Sequence, residues 1–156
     1  MRLVILGSAG AGETTLAKRL AAHTGARLIL LDAIWREDWT DADVPAFRAL
    51  MSEQHAVDAW ISDGNVAAAT FDIRLARAGL VVWLEPPSWL CAWRAVTRVF
   101  RPGEPHRLGR LWRVLSFIRN FDRVNRPRIE ALRAQHGPDV PVVRLRTSRE
   151  IASFVP

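Results

Sequence analysis

The stretch that most constrains this chain runs from "RLVIL" straight into Gly7-Ser8-Ala9-Gly10-Ala11-Gly12-Glu13-Thr14-Thr15 and on into "LAKRLAAHTG". A short apolar run reads as a buried strand, and the segment after the glycines reads as a helix over residues 12–23, closed by Gly25 as a left-handed cap. A glycine-rich turn that joins a strand directly to a helix commits the chain to a βαβ crossover, and so to a parallel sheet.

The rest of the sequence repeats that alternation. Apolar runs at 3–6, 28–31, 60–61, 80–84 and 140–145 are separated by longer segments of helical period. Helices are expected from Asp43-Val44-Pro45 to about 57, over 71–78 ahead of Gly79, and from Pro86-Pro87-Ser88 to about 100. Further helices are expected up to about 124, over 127–135 ahead of Gly137, and over 148–154. Arg101-Pro102-Gly103-Glu104-Pro105 is the sharpest break, yet it is too short to be a domain linker. At 156 residues and 49% hydrophobic, the chain can bury one ordinary core. The expectation is one domain, 1–156, with a lid region at about 101–126. Its fold class is α/β, a three-layer sandwich around a five-stranded parallel sheet, with ligand at the carboxyl ends of the strands.

The loop has the G-x-x-x-x-G-K-[ST] spacing of a phosphate cradle, with Glu13 where lysine belongs. Successive N–H groups from Gly7, Ser8, Ala9, Gly10, Ala11 and Gly12 turn into one concavity, and the helix start adds its positive dipole end. Thr14 stands where a hydroxyl ligates Mg²⁺, and Thr15 reaches a neighbouring phosphate oxygen. A unit charge about 4 Å from another is worth roughly 4 kcal/mol at an effective dielectric of 20, so replacing a cation by a carboxylate penalises bound triphosphate by several kcal/mol. Lys18 cannot substitute, because five residues carry it about 140° around the helix, and Arg19 is further still. An anion in the first helical turn also suits the dipole, so Glu13 is expected to occupy the cradle and stabilise the nucleotide-free protein.

Three more stretches join the loop. "LILLDAIW" ends the second strand with Asp32, followed by Trp35 and Trp39; "WISDGN" ends the third with Asp63 and Gly64; "VVWLEPP" ends the fourth with Glu85. With "RLARA", "WLCAWRAVTR" and "NRPRI", these motifs cover nearly the whole chain. In this order they resemble the adenylate-kinase-like P-loop kinases, and most closely the small bacterial topology modulation (FlaR-like) proteins. The resemblance implies ATP and Mg²⁺ as cofactors, Asp63 at the magnesium site, Asp32 toward the phosphate acceptor, and lid arginines closing over the transferring phosphate. The family loop carries lysine where this chain has Glu13.

Arginines dominate residues 94–128, where Glu104 and Asp122 are the only acids. Arg94 and Arg98 share one helical face and Arg119 and Arg123 another, which reads as a hinged phosphate clamp. Arg74 and Arg77 could contact the acceptor or be surface. Glu85 could be a base, a metal ligand or a plain strand end. Trp60 and Trp83 read as core, Trp89 and Trp93 as packed against their own layer, and Trp35 and Trp39 as a stacking wall or packing. The histidines sit in polar or loop contexts without metal-site spacing, and the lone Cys91 excludes an internal disulfide.

A net charge of +6 points to anionic partners. The leading function is an ATP-dependent phosphotransferase acting on a small-molecule acceptor, inactive or impaired because of Glu13. A non-catalytic nucleotide-site or regulatory protein is the alternative, and nucleic-acid binding the weaker third. No run is long enough to cross a membrane, and the expected location is the cytoplasm.

Overall fold

The computed structural model describes residues 1–35, 40–65, 67–99 and 108–156. Strands β1 (Arg2–Gly7), β2 (Arg27–Leu30), β3 (Trp60–Asp63), β4 (Leu80–Leu84) and β5 (Val142–Leu145) form one parallel sheet in the order β2-β3-β1-β4-β5. Their register lays Leu30 beside Asp63, Ile5 beside Asp63, Gly7 beside Leu84 and Leu84 beside Leu145. All carboxyl ends therefore share one edge of the sheet. The crossover after β1 runs to β2 on one side of it, and the crossover after β3 runs to β4 on the other, so the glycine-rich loop at the end of β1 stands at the switch point where such sheets hold ligands.

The helices are α1 (Glu13–Thr24), α2 (Leu31–Ile34), α3 (Val44–Gln54), α4 (Ala67–Leu75), α5 (Ser88–Val99), α6 (Leu108–Asn120), α7 (Arg126–His136) and α8 (Ser148–Ser153). Leu3, Val4, Ile5 and Leu6 are all fully buried because the sheet is covered on both faces. Leu3 and Ile5 join Leu16, Ala17 and Leu20 of α1; Val4 and Leu6 join Phe47, Met51, Phe71, Leu75 and Ile129 on the other side. Each such side chain contributes roughly 1.5–3 kcal/mol by leaving water, which is what fixes the loop's root.

Several boundaries differ from the sequence expectation. Strand β2 ends one residue early, since Leu31 turns inward to open α2. Helix α4 begins at Ala67 and stops at Leu75, ahead of the expected span. The helix expected to start at Pro127 does not start afresh: α6 continues into α7 through a π-helical turn, Phe121–Asn125, where the Arg126 N–H reaches back to the Phe121 carbonyl. Proline lacks an N–H and cannot complete an ordinary helical ladder, and the wider turn absorbs that defect. The turn carries the chain across the sheet edge, with Ile118 in one core cluster and Phe121 in the other. Of the expected lid, residues 101–107 lie outside the described residues, as does Trp39.

Trp60 and Trp83 are fully buried, as expected of core residues. Trp89 and Trp93 are not packed: they are 71% and 64% exposed, because each lies about 200° around α5 from the buried Cys91. His55 is no loop residue either. It is buried at the end of α3, hydrogen-bonded to the Met51 carbonyl (2.7 Å) and to Ser62 Oγ (2.9 Å), with its ring edge-on to Trp60. Among the described residues no helix is long and apolar enough to cross a membrane.

Candidate functional site

The loop is held where it is by close backbone approaches. At Gly10, φ is +83° and an added Cβ would lie 2.6 Å from the Cys91 carbonyl oxygen, so only glycine lets the loop rest on α5. The Ala11 N–H closes a tight turn on the Ser8 carbonyl (2.9 Å), and Gly12 leads into α1 with φ +107°. From behind, the Asn65 amide accepts from the Gly7 N–H (3.5 Å) and donates to the Gly7 carbonyl. Asn65 belongs to "WISDGN", but nothing in its spacing signals that it clasps β1.

The flank toward β3 is acidic. Thr14 Oγ1 donates to Asp63 Oδ2 at 2.7 Å, bringing the hydroxyl and carboxylate expected at a metal site into direct contact. Glu13 folds under the loop, its Cδ 3.2 Å from where a Gly7 Cβ would stand, and its Oε1 is buried with no hydrogen-bond partner among the described residues. Burial, then Asp63 and Asp32, push the Glu13 carboxyl well above the usual range, against opposing contributions from Arg74 and the Asn65 hydrogen bond. Asp63 is raised by burial, partly offset by the Thr14 hydrogen bond; Asp32, although exposed on its cleft side, is also raised by desolvation. Burial and the two aspartates thus oppose an ionised carboxylate at position 13, whereas the sequence reading has its negative charge favoured by the helix start. The dipole end favours an anion by well under 2 kcal/mol, less than desolvation beside two further carboxyls costs.

Beneath these carboxyls lies Arg74, fully buried rather than facing an acceptor. It donates to the Gly64 carbonyl (2.9 Å) and the Ser62 carbonyl (3.3 Å), bracketing Asp63. Burial lowers its pKa to about 10, while Asp63, Glu13 and Asp32 pull the other way. One guanidinium thus faces Glu13, Asp32 and Asp63. Among the described residues no group of three or more acidic, histidine or cysteine side chains is arranged to cage a metal alone.

The opposite flank is basic. A cleft of about 410 Å³ is lined by Gly10, Gly12, Thr15, Arg94, Arg98 and Ser148 among others, with no carboxylate in its wall. Arg94 Nη1 donates to the Ala11 carbonyl (3.2 Å) and the Gly10 carbonyl (3.4 Å), and Nη2 to Ser148 Oγ (3.0 Å). Arg19 fastens α8 to α1 through the Ile151 carbonyl (2.8 Å), the Phe154 carbonyl (3.0 Å) and the Ala152 carbonyl.

Of the four arginines expected in a clamp, Arg94 bonds to the loop and Arg98, exposed, lines the same cleft. Arg119 and Arg123 are exposed and line a separate groove on α6 with Trp112, Ser116 and Asn120, in which no loop residue takes part. Arg126 instead faces the loop, sharing a cleft of about 240 Å³ with Ser8, Asp122 and Glu85. Glu85 is neither a free base nor a free ligand. Its side chain, 10% exposed, accepts from Arg126 and Arg144 and pairs with Arg146 at 3.5 Å. Burial raises its pKa, but those guanidinium groups prevail and hold it below the usual range. Trp35 packs edge-on against Phe47 at 5.0 Å, as part of the core wall.

No family model matches the chain, and no curated protein matches it in sequence. Solved structures do match in fold. The shikimate kinase of Acinetobacter baumannii, in complex with shikimate, superimposes with a TM-score of 0.63 at 16% identity, over 97% of this chain and 87% of that one. The shikimate kinase of Bacteroides thetaiotaomicron gives 0.60 at 19% identity over 98% and 93%. A gluconokinase of Sinorhizobium meliloti gives 0.58 at 19% identity over 99% and 86%. The chain has the P-loop kinase fold, a five-stranded parallel sheet between helical layers.

Proposed function

We propose that the chain is a nucleotide-binding scaffold of the nucleoside- and nucleotide-kinase type in which phosphoryl transfer is disabled by Glu13. The observation that carries this reading is the loop Gly7–Thr15 at the switch point, with Thr14 on Asp63 at 2.7 Å and a buried carboxyl in the lysine position. In it, Gly7, Ser8, Ala9, Gly10, Ala11 and Gly12 cradle the phosphates of ATP, and Thr15 adds a hydroxyl contact. The pairing of Thr14 with Asp63 fits Mg²⁺, since both are hard oxygen donors and lie side by side, 2.7 Å apart. Thr14 and Asp63 would hold such an ion, which would supply charge neutralisation to the phosphates. Arg94 and Arg98 would pair with phosphate from the basic cleft, and Arg119 and Arg123 would reach it only if α6 moved. Asp32 would face the phosphate acceptor, a small molecule of the kind represented by the shikimate bound to one of the neighbouring kinases. Within this fold, the motif order is most like that of the FlaR-like group.

Following ³¹P transfer from ATP to a panel of small alcohols and nucleoside monophosphates, with Mg²⁺, tests the reading. The native chain should show no turnover and Glu13→Lys measurable turnover. Equal rates in the two would refute the disabling role of Glu13. A chain that stays inactive as Glu13→Lys while binding nucleotide would instead be a non-catalytic nucleotide-site protein.

A further inference from the structure

Glu85, just beyond the carboxyl end of β4, gathers three guanidinium groups. Arg126 Nη2 and Arg144 Nη1 both donate to its Oε1, and Arg146 Nε donates to its Oε2 at 3.5 Å. The three are not equivalent. Arg144 is also fixed from elsewhere, since its Nη2 donates to Glu130 at 2.9 Å and its guanidinium lies over the Trp83 ring, 5.1 Å from the centroid. Arg126 has only looser alternatives, Asp122 Oδ1 at 3.4 Å and Glu130 Oε1 at 3.7 Å, both on carboxylates open to solvent. Of the three arginines it alone lines the cleft of about 240 Å³ that reaches Ser8 of the phosphate loop. The Ser8 Oγ is buried with no hydrogen-bond partner among the described residues.

Resting on the reading of the loop as a nucleotide site, we propose that Glu85 is an internal competitor for phosphate: it holds Arg126, and a phosphate group entering the cleft beside Ser8 takes the guanidinium from it. A phosphate dianion carries more charge than a carboxylate and accepts both arms of the guanidinium fork. It also offers the Ser8 hydroxyl an acceptor. The exchange leaves Glu85 neutralised, because Arg144 stays on the same oxygen and Arg146 on the other. A carboxylate 10% exposed and paired to one arginine alone would be stranded by the same loss. Sharing among three cations is therefore what makes Arg126 exchangeable. Through it the loop, which lacks a lysine at position 13, draws a cation from the side of β4 and α7, and affinity is held down by the contact that must first be broken.

Calorimetric titration of ADP and of inorganic pyrophosphate into the full chain, in EDTA near neutral pH, reads the competition. Glu85→Gln should bind both about tenfold tighter than the native chain, the scale of one hydrogen bond to a charged group. Arg126→Met should bind both more weakly, and with both substitutions together the gain from Glu85→Gln should vanish. If Glu85→Gln fails to fold by circular dichroism, Glu85→Asp takes its place: its shorter side chain keeps a charge beside Arg144, and affinity should shift the same way. No gain in the variant that folds would overturn the inference. So would an equal gain in the absence of Arg126, which would reflect only the removal of a negative charge. In both cases ADP binding by the native chain would leave the nucleotide site standing. If ADP binds only to Glu13→Lys, the same substitutions are compared in that background. If neither chain binds it, the competition and the nucleotide site both fail.

Discussion

The two flanks of the phosphate loop are built from the same strand and the same helix, yet they present opposite environments. Toward β3, Glu13, Asp32 and Asp63 crowd above one buried guanidinium; toward α5, Arg94 and Arg98 line an open cleft without a carboxylate. The difference arises from what the neighbouring elements bring. The third strand ends in an acidic turn braced by Arg74 from below, and α5 turns a face of arginines onto the loop. With a lysine at position 13, the acidic flank would hold two cations against two aspartates and be near neutral. Glu13 unbalances that flank alone, and its unpartnered Oε1 is the structural trace of the imbalance.

The comparison breaks most severely at Arg74. Replacing it by methionine leaves the carboxyls without their buried counter-charge and two carbonyls without donors, a loss of about 3–5 kcal/mol in urea unfolding. Combining it with Glu13→Gln should recover part of that loss, since the two groups interact. His55, hydrogen-bonded to Ser62 beside Asp63, gives the same flank a pH dependence. Its folded pKa of about 4 lies below the ordinary 6.5, so the unfolded chain binds the extra proton. This contribution to stability is complete above pH 6.5 and is lost as pH falls toward 4. The loss is about 3 kcal/mol, seen by comparing urea midpoints with those of His55→Gln.

Smaller effects are expected away from the acidic flank. Glu85→Gln should cost about 2 kcal/mol, between the values for exposed and buried ion pairs, because Arg126 and Arg144 lose their shared anion. On the basic flank, Arg94→Met should change thermal stability by less than about 1 kcal/mol, because its hydrogen bonds are part-exposed, yet lower nucleotide affinity about tenfold. Trp93→Ser, on the solvent face of α5, should stay within about 0.5 kcal/mol of the native chain.

Much of this arrangement was legible in the sequence. The strand, glycine turn and helix announced a parallel sheet, and the acidic strand ends at Asp32 and Asp63 and the loop's Thr14 all stand along the expected edge. Such signals are local, a matter of periodicity and turn chemistry within a few residues. What stayed hidden depends on which way a helix is rotated or how far a chain folds back. Arg74 and Arg77 look alike in "RLARA", and only the packing of α4 buries the first. Arg119 and Arg126 lie on one nominal face, but the π-helical turn between them changes the phase, so that Arg126 and not Arg119 meets the loop cleft. His55 reads as a polar or loop histidine in sequence, and its burial comes from its bonds to the Met51 carbonyl and to Ser62 of β3.

The most direct measurement is calorimetric titration of ATP, with Mg²⁺, into the native chain and into Glu13→Lys. If Glu13 alone reverses the acidic flank, Glu13→Lys should bind ATP roughly a hundredfold tighter or more, the scale of exchanging one close repulsion for an attraction. Equal affinity in the two chains would contradict the assignment of Glu13 as the charge that governs this site.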